Sequence, residues 1–164
     1  MSSTHWIGSV RFGTSAMLGI VYLYRRRILM SHITSMIETH PNITTDRDVQ
    51  KLADCIAACF ECAQTCTACA DACLAEDAVT DLRNCLRLNL DCADLCTATG
   101  HLLSRRTGSN LATVQAALEA CRVACAECAV ECEKHADHHE HCRVCAEACR
   151  RCEQACADLL SAIG

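Results

Sequence analysis

The chain has 164 residues, of which 18 are cysteine, one is proline and five are aromatic. This length favours a single domain. The formal charge of -5 and the lack of an evident basic face argue against a nucleic-acid partner.

The first 29 residues are predicted to be a disordered extension outside the folded domain. Their apolar run, residues 16–24, has about half the length of a membrane span. Arg25, Arg26 and Arg27 follow this run, whereas a signal peptide carries its basic residues before it. We therefore expect no membrane partner and a cytoplasmic location, in which thiols stay reduced.

The rest of the chain divides into a segment of residues 30–45, which has room for a short helix, and a domain of residues 46–164. Four long helices are predicted in the domain, at residues 46–75, 79–104, 111–136 and from a cap at Asp137 to about residue 162. Candidate caps are Thr45 with Asp48, Ser109 or Asn110, and Asp137 with Glu140. Long helices joined by connections of a few residues favour an all-α, antiparallel four-helix bundle.

The cysteines recur along these helices, mostly at steps of three or four residues. Side chains at such steps share one face of a helix, so the thiols are predicted to line the common interior of the bundle. The second helix follows the same spacing but carries fewer cysteines. The predicted metal-ligating cysteines are Cys55, Cys59, Cys62, Cys66, Cys69, Cys73, Cys85, Cys92, Cys96, Cys121, Cys125, Cys128, Cys132, Cys142, Cys145, Cys149, Cys152 and Cys156.

Explanations without a metal fit this pattern poorly. Thiols one turn apart on a helix have nearly parallel Cα–Cβ vectors, which suit a disulfide badly. A core packed by cysteine alone would be thin, because a thiol has less bulk than a leucine and voids are costly. A thiol redox protein would carry its CxxC pairs in a βαβ setting, which is missing here.

The number of thiols favours Cu(I) among the metals that soft ligands select. Four-coordinate zinc would leave about half of the thiolate charge uncompensated in the interior. Cu(I) is monovalent and accepts two or three sulfurs, so bridging thiolates could hold on the order of one copper per cysteine. The predicted function is high-capacity Cu(I) storage without catalysis, and the alternative is a metallothionein-like zinc or cadmium buffer.

A resemblance to a known family rests on three stretches, CIAACFECAQTCTACADAC, CRVACAECAVEC and CRVCAEACRRCEQAC, and on the cysteine-poorer second helix. With these features, residues 46–164 resemble the bacterial copper storage proteins, particularly their cytosolic branch. The resemblance implies a four-helix bundle whose interior fills with Cu(I), and it implies a homotetramer. Copper donor or acceptor proteins are candidate partners of a protein with a storage role.

Histidines are predicted at one end of the bundle, between the third and fourth helices. Steps of three and four residues forward from Cys132 on the third helix reach His135 and His139. A step of four residues back from Cys142 on the fourth helix reaches His138. Imidazole binds copper more transiently than a buried thiolate does, so these side chains are candidate ligands at an entrance. A solvated polar turn is the alternative, because a histidine-rich tract is only a compositional signal for metal. This spacing does not assign a role to His141.

Apolar residues gather at the opposite end and predict a plug that holds the bundle together without metal. Asn89 falls on the seam of the second helix and is expected to fill space there as a buried polar residue. The predicted plug consists of Val49, Leu52, Leu102, Leu103, Leu111, Val114, Leu118, Leu159, Leu160 and Ile163.

Overall fold

The regular structure of the described residues is helical. The computed structural model describes residues 32–42, 49–108 and 110–164. Within these ranges no helix has both the length and the apolar character that crossing a membrane requires. The helices are α1 at residues 32–38, α2 at Val49–Ala75, α3 at Arg83–Ser104, α4 at Leu111–His135 and α5 at Glu140–Ile163.

The four long helices form an antiparallel bundle. Helices α3 and α5 each pack against both α2 and α4. Helix α2 runs for 27 residues without glycine or proline, and alanine, the best helix former, is frequent along it. The predicted four-helix bundle, preceded by a short N-terminal helix, is confirmed.

Two of the predicted helix starts differ from the structure. The second helix was expected to begin near residue 79, but Val79 and Leu82 donate to the Glu76 and Val79 carbonyls in successive tight turns. Leu82, the last residue of these turns, is buried in the core, and α3 begins at the next residue, Arg83. The predicted cap at Asp137 is also wrong, because α5 begins at Glu140, after His139.

The connection between α3 and α4 contains a glycine in a backbone conformation that other residues rarely adopt. Gly108 has φ of 93°, in the left-handed region where a Cβ atom is unfavourable. Asn110 stands directly before α4, as predicted, but its side chain makes no capping hydrogen bond. The other candidate cap residues, Thr45, Asp48 and Ser109, lie outside the described residues.

Apolar side chains close the end of the bundle where α3 ends and α4 begins, which we call the apolar end. Leu103, Leu118 and Leu159 are buried there. Leu111 does not belong to the predicted plug, because half of its side chain (50%) is exposed. Leu102 is half-buried. The remaining predicted members pack against the core with partial exposure, namely Val49, Leu52, Val114, Leu160 and Ile163.

The substitution Leu118→Ala is expected to destabilise the metal-free chain by about 3 kcal/mol, because truncating a fully buried leucine leaves a cavity. Leu111→Ala, in the same helix, is the matched control and should cost less than about 1 kcal/mol at its exposed position. Urea unfolding followed by circular dichroism measures both free energies. Equal losses in the two variants would contradict the assignment of the apolar end.

Candidate metal centre

All eighteen cysteines face the interior of the bundle. Each thiol is buried and none forms a disulfide. Helix α2 supplies six of them, α3 three, α4 four and α5 five. The prediction that the thiols line a shared interior is confirmed.

Sulfur atoms from different helices lie close enough to share a metal ion. The Sγ atom of Cys62 on α2 lies 3.9 Å from that of Cys92, 4.0 Å from that of Cys125 and 3.7 Å from that of Cys149, so all four long helices meet at one point. The Sγ atoms of Cys66 and Cys149 are 3.5 Å apart. Two sulfurs on one ion, with bonds of about 2.3 Å, would lie about 3.8 Å apart at a tetrahedral angle. Metal binding therefore needs only small shifts of these side chains.

Groups of four thiols follow one another along the bundle, and we call this series the thiol ladder. The sulfur atoms within a group all lie within 4.8 Å of one another. The first four groups named below share members, since Cys152, Cys62 and Cys149 each belong to two of them, so a metal ion in one of these groups has ligands in common with the next. From the apolar end, five of the groups are Cys59, Cys121, Cys152 and Cys156; Cys62, Cys96, Cys125 and Cys152; Cys62, Cys66, Cys92 and Cys149; Cys66, Cys128, Cys145 and Cys149; and Cys69, Cys85, Cys132 and Cys142.

Asn89 is fully buried among the thiols of the ladder. Its Nδ2 atom donates to the Cys85 carbonyl at 2.8 Å, which fixes the orientation of the amide. Its Oδ1 atom accepts from the Cys145 thiol at 2.9 Å and from the Cys128 thiol at 3.4 Å. Asn89 is a buried polar residue, as the sequence predicted, and the structure adds that its amide hydrogen-bonds to the surrounding thiols.

Burial favours the protonated form of Cys73 and Cys142 when no metal is bound. Removal from water raises the pKa of Cys73 to about 11, and it raises the pKa of Cys142 as well. The thiolate is the form that binds metal. A metal ion that enters this part of the ladder therefore displaces protons as it binds.

The turns after α2 and α4 lie together at the end of the bundle opposite the apolar end, which we call the histidine end. His139 Nδ1 lies 3.0 Å from Glu76 Oε1, so this predicted ligand joins the two turns. His135 contacts Glu131 on its own helix, at 3.4 Å, and His138 is exposed. The structure thus places His139 beside a carboxylate of the neighbouring turn, whereas His135 contacts only a residue of its own helix among these partners and His138 is exposed.

His141 contacts the thiols through one ring nitrogen, although the sequence pattern left it unassigned. Its Nδ1 atom lies 3.4 Å from Cys69 Sγ and 3.5 Å from Cys142 Sγ. Its Nε2 atom lies 3.2 Å from Glu76 Oε1. Hydrogen bonds from His139 and His141 hold the pKa of the Glu76 carboxyl below its usual range. One signal in the sequence could have identified His141, namely its place beside a seam cysteine at the start of a helix.

The chain matches a known family along most of its length. The family model for the copper storage protein matches residues 48–161. A search of curated proteins finds no match.

Solved structures of a Streptomyces lividans protein are similar to this chain. Its copper storage protein, Ccsp, loaded with 10 copper equivalents, is 52% identical with a TM-score of 0.77, over 79% of this chain and 98% of that chain. A structure described as copper loading to the cytosolic copper storage protein, with five coppers, is 57% identical with a TM-score of 0.69, over 70% and 96% of the two chains. A Ccsp variant with two histidines replaced by alanine is 56% identical with a TM-score of 0.68, over 69% and 95%.

Proposed function

The chain belongs to the copper storage protein family, and we propose that it stores Cu(I) along the thiol ladder. The observation that carries this proposal is the set of eighteen buried, free thiols, sixteen of which fall into the groups of four named above, with members shared among four of those groups. The similar Streptomyces lividans protein has been loaded with 10 copper equivalents. Bridging thiolates in this chain would allow on the order of one Cu(I) per cysteine.

Charge balance separates copper from zinc or cadmium, the alternative that is not favoured. A bound thiolate is negative and lies in a dry interior, where an uncompensated charge is expensive. Monovalent copper bridged by thiolates neutralises this charge one for one. A divalent ion that takes four thiolates leaves a net charge of about -2 at each site. The overlap between the groups of thiols also suits bridging ions better than separate tetrahedral sites.

A competition experiment tests the choice of metal. The reduced full chain is mixed under anaerobic conditions with equal excesses of Cu(I) and Zn(II), the unbound metal is removed by gel filtration, and the bound metals are measured by mass spectrometry. We expect copper to occupy nearly all of the thiols, and we expect added Cu(I) to displace zinc from a chain that was loaded with zinc first. Retention of zinc as the main metal in both orders of addition would contradict the proposal.

The location, the oligomeric state and the protein partners that we propose rest on the family. A cytosolic location is supported by the Streptomyces lividans relative, which is described as cytosolic. The family implies storage of the metal and not its use in catalysis. We propose a homotetramer and an exchange of copper with donor or acceptor proteins on the same basis. Light scattering on the purified chain tests the tetramer, for which four times the 17.8 kDa chain mass is expected.

The three predicted histidine ligands are proposed to assist entry of copper at the histidine end. Replacing His135, His138 and His139 by glutamine should slow copper uptake by up to about tenfold, because weakly binding nitrogen ligands would be lost outside the ladder. The final copper content should stay the same, since no thiol is removed. Stopped-flow absorbance of the copper–thiolate bands measures the rate. His101→Gln is the control, because His101 lies in the last turn of α3, at the apolar end. Equal uptake rates in the triple variant and the control would contradict an entrance role.

A further inference from the structure

Glu76 contacts two imidazole rings through a single carboxylate oxygen. Its Oε1 atom lies 3.0 Å from His139 Nδ1 and 3.2 Å from His141 Nε2. The two rings are 5.5 Å apart between centroids and tilted by 45°. Glu76 follows the last residue of α2, while the histidines lie at the start of α5, so this one side chain connects two turns of the histidine end.

These contacts determine which ring nitrogens carry hydrogen. An ionised carboxylate has no hydrogen to donate, so each nitrogen that faces Glu76 must be an N–H group. A neutral imidazole has one N–H group and one unprotonated nitrogen. His139 therefore has its lone pair on Nε2, and His141 has its lone pair on Nδ1. The carboxylate imposes opposite tautomers on the two rings.

The tautomer imposed on His141 directs its lone pair at the thiol ladder. Nδ1 of His141 lies between two thiols, 3.4 Å from Cys69 Sγ and 3.5 Å from Cys142 Sγ. In the other tautomer, a hydrogen on Nδ1 would occupy this space and no lone pair would be available there. Histidines that bind metals generally donate their second N–H group to a carboxylate or carbonyl, which fixes the ring and makes it a better ligand.

We propose that Glu76 is a positioning residue for copper entry, because it fixes the tautomers of His139 and His141 so that a nitrogen lone pair faces the first thiols of the ladder. This inference rests on the proposed storage of Cu(I). Glu76 does not need to touch copper in this role. The position of the carboxylate also carries a cost, since an acidic group just past the C-terminus of α2 is unfavourable to that helix dipole.

The tautomer can be measured without any metal. Long-range proton–nitrogen correlation spectra of the reduced, copper-free chain report which ring nitrogen of each histidine carries hydrogen, and His141→Gln identifies the signals of His141. We expect Nδ1 of His141 to be unprotonated in the parent chain. Glu76→Leu should produce a mixture of tautomers, and Glu76→Gln should preserve the parent pattern, since its amide oxygen can still accept. A protonated Nδ1 in the parent chain, or an unchanged pattern in Glu76→Leu, would overturn the inference.

Loading kinetics provide the second readout. Glu76→Leu should take up copper about tenfold more slowly, which is the usual scale for loss of a residue that orients a metal ligand. Glu76→Gln should stay close to the parent rate. Asp77→Leu removes the neighbouring carboxylate from the same turn and is the matched control for lost charge, so an equal slowing in this variant would overturn the inference. The copper content at saturation is a separate test: a low content in the parent chain would overturn the proposed storage, whatever the tautomer of His141.

Discussion

Saturating the reduced chain with Cu(I) is expected to raise the midpoint of thermal unfolding by more than about 15 °C. A ligand that binds only the folded state at a thousand times its dissociation constant adds about 4 kcal/mol of stability. Two independent sites of this kind would add about 8 kcal/mol, and each kcal/mol raises the midpoint by about 2–4 °C in a chain of this size. The overlapping groups of the ladder provide more sites than two.

The effect should be large because copper bound in the ladder would join all four long helices. Thiols from α2, α3, α4 and α5 meet around Cys62, where the metal-free chain has only small side chains in contact. Calorimetry of the anaerobic chain, before and after loading, measures the change. Zinc loading is the comparison, and we expect it to raise the midpoint less. A rise of less than about 5 °C with copper would imply too little binding to fill the ladder.

Removing thiols from the middle of the ladder is expected to reduce the copper content by more than their number. The quadruple variant with Cys62, Cys66, Cys92 and Cys149 replaced by alanine loses one complete group. It also takes ligands from the groups on either side, because Cys62, Cys66 and Cys149 are shared with them. We expect the copper content to fall by about a third to a half, since each missing thiolate bridges more than one ion.

The matched control removes four thiols near the two ends of the bundle interior, of which Cys142 and Cys156 each belong to one named group of the ladder. It replaces Cys55, Cys73, Cys142 and Cys156 by alanine and should lose copper roughly in proportion to the cysteines removed. Circular dichroism verifies that both variants remain helical, and metal analysis after saturation measures the content. Equal losses in the two variants would show that the sites are separate and that the ladder is not continuous.

The sequence predicted the ladder well because helical periodicity determines which side of a helix a residue faces. Steps of three and four place Cys55 and Cys73 on one face of α2 over the length of that helix. All eighteen cysteines are buried, as these steps require. Family resemblance indicated the same architecture independently.

Features at the ends of helices could not be obtained in this way. The turns that bury Leu82 delay the start of α3, and the periodicity of the helix does not describe them. His141 lies one residue before Cys142, off the seam, yet in the first turn of α5 its ring reaches the thiols. The role of Glu76 depends on two turns that are distant in sequence. Asn89 was placed on the correct seam, but its contacts with Cys145 and Cys128 depend on three-dimensional packing.

Titration of the reduced, metal-free chain with Cu(I), against a chelator of known affinity, tests the central claim most directly. Eighteen thiols converging on one interior predict that the chain withholds copper from the chelator until more than 10 ions per chain are bound. The Streptomyces lividans protein has been loaded with 10 copper equivalents. Saturation after only a few ions, with most thiols still free to react, would contradict storage along the ladder.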